Sequence, residues 1–318
     1  MVARQSLRVV FFGTPAFAVP TLKALLASDH AVAGVVSQPD RPKGRGQRVV
    51  VSPVKSEAIR AGITPLQPAS LTDPGFRSAF EKLRADIGVV AAYGRILPQD
   101  LLDAPSNGMI NVHASVLPRY RGAAPVRRAV IAGDAETGVT IMRVVKALDA
   151  GPTIAVERRP IAPDETSVEV ERDLAQMGAR LLVTCVDQIA AGTVVEQPQD
   201  DDAATYAPRL TKKEGDVDWA RRAPELHNLI RGLHPWPHAY TFWRTRRLIL
   251  RRSAPVTVSH GQPAGTVLSA EGDNLIVAAG EGAVRLLEVQ VEGKRPMTAR
   301  DFLAGHNVAP GERLSSAS

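Results

Sequence analysis

The strongest constraint on the fold lies at the start of the chain. Leu7-Arg-Val-Val-Phe-Phe12 is a short, nearly unbroken apolar run. Such a run suits a strand buried on both faces of a parallel sheet. Gly13-Thr14-Pro15 interrupts it, apolar residues then recur at helical spacing through Leu22, Leu25 and Leu26, and Ala31–Val36 is a second strand-like run. Strand, turn, helix and strand in that order form a βαβ unit. Gly13 has no partner glycines, because Pro15 and Ala18 stand where the dinucleotide fingerprint needs them. That argues against a nicotinamide or flavin oxidoreductase of the usual kind.

The alternation continues. Ser52 is placed to cap a short helix over Pro53–Ala61, and the Asp73-Pro74-Gly75 turn opens another over Phe76–Arg84. Asp86–Ala92 is a further buried strand, and it ends in Tyr93-Gly94-Arg95-Ile96-Leu97-Pro98. Ala123–Ala132 predicts a helix; Gly138–Val144 and Ile154–Arg159 predict strands joined through the turn at 148–153. A long helix is expected over Val168–Ala191, with Thr166 and Glu169 as a capping box and Leu174, Met177, Leu181, Leu182, Cys185 and Ile189 as its core face. Residues 193–208 are acidic and aperiodic, which predicts a linker. Beyond them a helix fits Ala223–Gly232. Short strand-like runs at 239–243, 247–251, 265–269, 274–278 and 284–291 then predict a small β-barrel of OB type.

No apolar run approaches the roughly 20 residues that span a bilayer. The residues Met1–Arg8 lack the zones of a signal peptide. A single cysteine, Cys185, excludes an intrachain disulfide and a cysteine-based metal site. A cytoplasmic protein is therefore expected. The net charge of +6 is distributed unevenly: residues 1–192 carry 23 basic and 18 acidic groups, residues 209–318 carry 16 and 11, and 193–208 carry four acidic groups alone. Two basic regions around an acidic connector are compatible with an anionic partner such as nucleic acid.

Three stretches carry candidate chemistry. Gln38–Arg48 holds Arg41, Lys43, Arg45 and Arg48 among two prolines and two glycines, and predicts a long exposed loop. It reads either as a solvated surface loop or as an arm that contacts phosphate through Lys43, Arg45 and Arg48. In Gly108–Pro125 an apolar run carries Asn111 and His113 at a spacing of two, which puts both on one face of a strand. A donor amide and an imidazole under a loop holding two prolines suit acyl-group chemistry; structural hydrogen bonding of a buried strand is the equal alternative. Asp149, in the Leu148–Thr153 turn, reads from the residues alone as a turn aspartate. His234 and His238 flank Trp236 and read as a packed corner.

With residues 94–151 assembled, the chain resembles the folate-dependent formyltransferases. Gly108-Met-Ile-Asn-Val-His-Ala-Ser115 is similar to the family's strand carrying Asn and His. Ser115-Val116-Leu117-Pro118 resembles its folate loop, with Val116 in place of the usual leucine. Leu148-Asp149-x-Gly151 supplies the family's aspartate, with Ala150 where threonine is usual. Gly13-Thr-Pro-x-Phe17, the basic loop, and a second domain opening at Lys212–Trp219 and carrying Pro235-Trp-Pro237 point to the branch acting on methionyl-tRNA.

The resemblance implies an α/β fold. A Rossmann-like catalytic domain with a parallel-rich sheet would cover 1–192, 193–208 would be a linker, and a smaller OB-like β-barrel that binds tRNA would cover 209–318. It implies transfer of the formyl group of 10-formyltetrahydrofolate to the α-amine of initiator methionyl-tRNA. Asn111 would donate to the oxygen on which negative charge builds, His113 would move protons, and Asp149 would support the imidazolium. Ser115, Val116, Leu117 and Pro118 would hold the pterin by shape and backbone groups, and Arg45, with Lys43 and Arg48, would contact tRNA. No metal, covalent intermediate or membrane is needed, and a monomer is expected. A formyltransferase acting on a nucleotide sugar or ribonucleotide amine is the same-chemistry alternative; a non-catalytic RNA-binding protein is the different-class one.

Overall fold

The computed structural model describes residues 6–43 and 48–316. It divides into two compact units, neither continuous in sequence. Unit 1 comprises Met1–Pro125, Thr137–Arg159 and Glu171–Ala207, and unit 2 comprises Val126–Glu136, Pro160–Val170 and Pro208–Ser318. The compact units therefore differ from the sequence division at 192 and 209. Two short pieces, 126–136 and 160–170, go with the C-terminal unit, and most of the expected linker goes with the first.

Strand β1 (Arg8–Gly13), helix α1 (Val19–Leu26) and strand β2 (Ala31–Val36) realise the βαβ unit, with Val9 to Phe12 wholly buried. Part of the expected loop is instead an antiparallel ribbon of β3 (Arg41–Lys43) and β4 (Arg48–Val50), with Lys43 opposite Arg48. Proline bars a central strand but not a two-stranded ribbon, where each strand has a free edge. Helices α2 (Pro53–Arg60) and α3 (Pro74–Lys82) start where their caps dictate. Ser52 Oγ accepts from Lys55 N–H at 3.1 Å, and Asp73 Oδ1 accepts from Phe76 N–H at 2.8 Å. Strand β5 (Ile87–Ala91), helix α4 (Gln99–Leu102) and strand β6 (Met109–His113) follow. Next come β7 (Arg121–Gly122), α5 (Pro125–Ala132), β8 (Glu136–Arg143), β9 (Thr153–Pro160), α6 (Ser167–Ala190) and β10 (Tyr206–Ala207).

The main sheet of unit 1 runs β2-β1-β5-β6-β8-β9. Its first four strands are parallel, and β8 is antiparallel to β6. Because β2 and β5 lie on opposite sides of β1, the strand order reverses there, and ligand crevices form beyond the carboxyl ends at such a point. Strand β6 divides its side chains between two environments. On one face Val112 lies against α6, where a Cβ on Gly178 would come within 2.6 Å of Val112 Cγ1 and 3.0 Å of Val139 Cγ2. On the other, Met109 joins a cluster with Phe12, Phe80, Tyr93 and Leu101. Asn111 and His113 share that second face by alternation.

Residues 193–207 are held onto unit 1 rather than hanging free. Thr153 and Gln197 exchange backbone hydrogen bonds of 2.8 Å, and β10 pairs in parallel with β7. A polar stretch without periodicity looks like a linker in sequence, but its partners lie 44 to 85 residues away.

In unit 2, helix α7 (Ala223–Gly232) precedes β11 (Ala239–Trp243), β12 (Arg246–Val256), β13 (Val267–Glu271), β14 (Asn274–Ala278), β15 (Ala283–Val291), β16 (Met297–Thr298), helix α8 (Ala299–Gly305) and β17 (Leu314–Ser315). The sheet order is β13-β14-β15-β12-β11-β17, with β16 beside β15. Its ends meet: Val267 N–H donates to Glu312 O, Gly311 N–H to Val267 O and Leu314 N–H to Gly265 O, each at 2.8 Å. The sheet thus curls into the barrel-like form expected, without a long open edge. His234 and His238 form the packed corner, with ring centroids 5.2 Å apart. Burial holds both imidazoles below their ordinary range, His238 down to about 4.

Two predictions follow from these contacts. Gly178→Val forces α6 off β6 and is expected to cost about 1–3 kcal/mol, as overpacking does; denaturant midpoints would measure it, and an unchanged midpoint would refute the contact. His238 stays neutral when folded, whereas in the unfolded chain it takes up a proton near pH 6.5. Stability should therefore fall as pH drops from about 6.5 towards 4. Thermal melts of His238→Gln should show a flatter pH dependence across that window.

Candidate active site

The site is built where β6 ends. Asn111 pairs across the sheet with Val90 and Met142, and His113 with Thr140. His113 is 5% exposed, and its Nε2 lies 3.0 Å from Tyr120 O. Its Nδ1 lies 3.7 Å from Asp149 Oδ2. Asp149 sits on the turn after β8 with φ of 49°, a left-handed backbone that aspartate tolerates better than most residues. The same Oδ2 accepts the Gly122 N–H at 2.8 Å. Gly122 has φ of 120°, and a Cβ there would come within 2.9 Å of Ala207 O. Only glycine lets the chain present its N–H at that point.

The structure therefore brings Asn111, His113 and Asp149 together within unit 1, from a strand, the end of that strand and a turn. Asn111 is half-buried, and its carboxamide makes no hydrogen bond to another described residue. It is a donor at fixed length that the protein leaves unused. Its neighbour His113 is hydrogen-bonded on one nitrogen and faces a carboxylate on the other. That arrangement can polarise a carbonyl oxygen and relay protons.

The loop after β6 is saturated by internal bonds. Ser115 is buried, and its Oγ donates to Arg119 O at 2.6 Å. Thr140 Oγ1 donates to Ser115 O at 2.7 Å and accepts from Leu117 N–H at 3.2 Å. Leu117–Pro118 is a cis peptide bond. Tyr120 N–H donates to Thr205 Oγ1 at 2.9 Å, and Arg121 N–H to Thr205 O at 2.8 Å. The Ser115 hydroxyl and the Leu117 side chain are buried within the loop, where they set its shape. Val116 and Pro118 are half-buried, so they are the side chains of this stretch that keep an accessible surface.

A second part of the rim lies beyond β1, β2 and β5. Thr14 Oγ1 donates to Tyr93 O at 3.2 Å and accepts from Gln38 N–H at 3.3 Å, while Gln38 Nε2 donates to Tyr93 O at 2.7 Å. Next to it, Lys55 Nζ donates to Asp40 Oδ2 at 2.6 Å, and Gln67 Nε2 to Asp40 Oδ1 at 2.9 Å. These contacts hold the Asp40 carboxyl below its usual range and fasten the root of the β3–β4 ribbon. Of the basic residues expected to act on the arm, Lys43 and Arg48 face each other in the ribbon's backbone register, and Arg45 lies outside the described residues. Among the described residues no group of three or more His, Cys, Asp or Glu could hold a metal ion.

Sequence reading missed Gly122, Thr140, Arg121 and Gln199. Thr140 carried a weak signal, a hydroxyl between the apolar Val139 and Ile141. The others act through partners distant in sequence and leave no local pattern. Thr140→Val keeps the shape but strands the buried Ser115 carbonyl and Leu117 N–H. It is expected to cost about 1–3 kcal/mol, read from thermal or denaturant midpoints; a neutral effect would show that the hydroxyl does not brace the loop.

The sequence and the fold have counterparts among known proteins. A formyl transferase family model matches residues 7–186, and a model of the formyl transferase C-terminal domain matches 209–307. The methionyl-tRNA formyltransferase of Caldanaerobacter subterraneus is 44% identical over 309 residues, covering 97% of this chain and all of the relative. That of Ectopseudomonas mendocina is 47% identical over 298 residues, covering 94% of each. In three dimensions the chain is similar to the sugar 3N-formyl transferase WlaRD, with a TM-score of 0.66 at 16% identity over 91% of this chain and 99% of that one. An N-formyltransferase from Helicobacter canadensis matches with a TM-score of 0.67, also at 16% identity, over 91% of this chain and 100% of that one. At such identity these two likenesses speak for the fold. The identity to the relatives over nearly the whole length decides the rest: the chain belongs to the formyl transferase family, in its methionyl-tRNA formyltransferase branch.

Proposed function

We propose that this chain transfers a formyl group from 10-formyltetrahydrofolate to the α-amine of initiator methionyl-tRNA, in the cytoplasm. The observation that carries the reading is the unengaged Asn111 carboxamide beside the His113–Asp149 pair, in a chain 44% identical to a methionyl-tRNA formyltransferase. The folate supplies the activated formyl group. Asn111 donates to the formyl oxygen as charge builds on it under attack by the amine. His113 moves the amine proton towards the folate nitrogen, and Asp149 holds the imidazole in place and balances its charge. Val116, Pro118 and backbone groups of the loop hold the pterin by shape. The structure of WlaRD holds 5-N-formyl-THF and that of the Helicobacter canadensis N-formyltransferase holds folinic acid, which supports a folate in this fold.

The acceptor reading rests on the relatives and on charge. Both basic regions suit a polyanion, and Lys43, Arg45 and Arg48 are the proposed contacts on the arm. Among the described residues no helix is long and apolar enough to cross a membrane.

Transfer of labelled formyl to Met-tRNA, beside an amino nucleotide-sugar acceptor, tests the reading. Product is expected on the tRNA alone, and product on the sugar alone would overturn it. Asn111→Ala should lower kcat on the order of 10²–10³-fold with folate affinity nearly unchanged. Arg45→Ala should raise KM for Met-tRNA and weaken its salt dependence while leaving folate binding intact; equal loss of both would refute the arm as a tRNA contact.

A further inference from the structure

The segment at 197–205 carries a side chain that the proposed chemistry does not yet use. Gln199 lies between the turn bearing Asp149 and strand β7. Its Nε2 donates to Asp149 O at 2.9 Å and to Gly151 O at 2.7 Å. Its Oε1 accepts from Arg121 Nε at 3.1 Å and Arg121 Nη2 at 3.0 Å. The orientation of the amide is decided by its partners, since two carbonyls require donors and a guanidinium requires an acceptor. Both N–H groups and the carbonyl oxygen of Gln199 are thereby engaged. Arg121 is 4% exposed and completes its pairing with Asp201 at 2.7 Å, a carboxylate that is itself 80% exposed.

We infer that Gln199 is a positioning residue for the reaction, acting through Asp149. Asp149 has two anchors. Its carboxylate is held by the Gly122 N–H, and its main chain by the Gln199 amide. Gly122 adjoins Arg121, so the residue that grips the Asp149 turn from behind also grips the strand that donates to its side chain. A left-handed aspartate on a short turn has no helix or sheet ladder to fix it. Without Gln199, the Asp149 and Gly151 carbonyls lose their donor, and the turn stays tied to β7 through the Gly122 N–H bond to the Asp149 carboxylate, which fixes the side chain but not the main chain. The inference rests on the proposed function in taking Asp149 as part of the reacting centre.

The test is a double-mutant cycle on the full chain, with 10-formyltetrahydrofolate and Met-tRNA as substrates. Gln199→Glu keeps the acceptor for Arg121 but presents oxygen to two carbonyls; Gln199→Met keeps the length and removes all polarity. Each is expected to lower kcat on the order of 10–100-fold, with KM for both substrates within about twofold and melting still cooperative. In an Asp149→Asn background, either replacement should add little further loss, because the group it positions is already disabled. Fully additive losses, or equal changes in kcat and both KM values, would mark Gln199 as general scaffold and overturn the inference. Undiminished kcat in both Gln199 variants while Asp149→Asn is impaired would overturn the positioning role alone. Undiminished kcat in Asp149→Asn would overturn the catalytic reading of Asp149, and this inference with it.

Discussion

One carboxylate oxygen organises this site. Asp149 Oδ2 takes the Gly122 N–H and lies opposite His113 Nδ1. Both partners are strongly constrained. His113 closes a buried strand, and Gly122 adopts a backbone conformation and an approach to Ala207 that a side chain would obstruct. The aspartate comes from a turn, the least constrained kind of element. A carboxylate partly withdrawn from water interacts more strongly with its neighbours, but only while the geometry is kept. The site therefore depends on tying a turn to a strand, and the segment leading to β10 supplies the tie.

The loop after β6 shows the same economy. Its polar groups are spent on one another and on Thr140 and Thr205. The Asn111 amide, by contrast, makes no hydrogen bond to another described residue. A buried or half-buried amide without a partner carries a desolvation cost, which a ligand oxygen can relieve. For a donor acting on charge that develops during a reaction, the role proposed for Asn111, that is a useful state. The amide is already in place and has no competing bond to break.

The second unit solves a different problem. Its curled sheet joins its own ends through 265–267 and 311–314, so a protein with many short strands presents little free edge. Two histidines are kept neutral in its corner by burial. Several of its arginines are paired with carboxylates, as with Arg251 and Glu288 or Arg300 and Asp273.

The sequence by itself determined the elements and the pair at the centre. Apolar runs set β1, β2, β5 and β6, the caps at Ser52 and Asp73 and the Glu169 carboxylate reaching back to the Thr166 N–H set helix starts, and the spacing of Asn111 and His113 put them on one face. All of these are local, because hydrogen-bond periodicity and side-chain alternation act within a few residues. Family motifs added Asp149. Tertiary structure alone decided the rest. It turned Ser115 and Leu117 inward, made a ribbon of part of the basic loop, and drew 126–136 and 160–170 into the second unit. It also converted the expected linker into a brace, because Gln199 finds its partners about 50 and 78 residues away. A polar side chain with distant partners leaves no periodic trace in its neighbours, so only the folded chain could reveal what it holds.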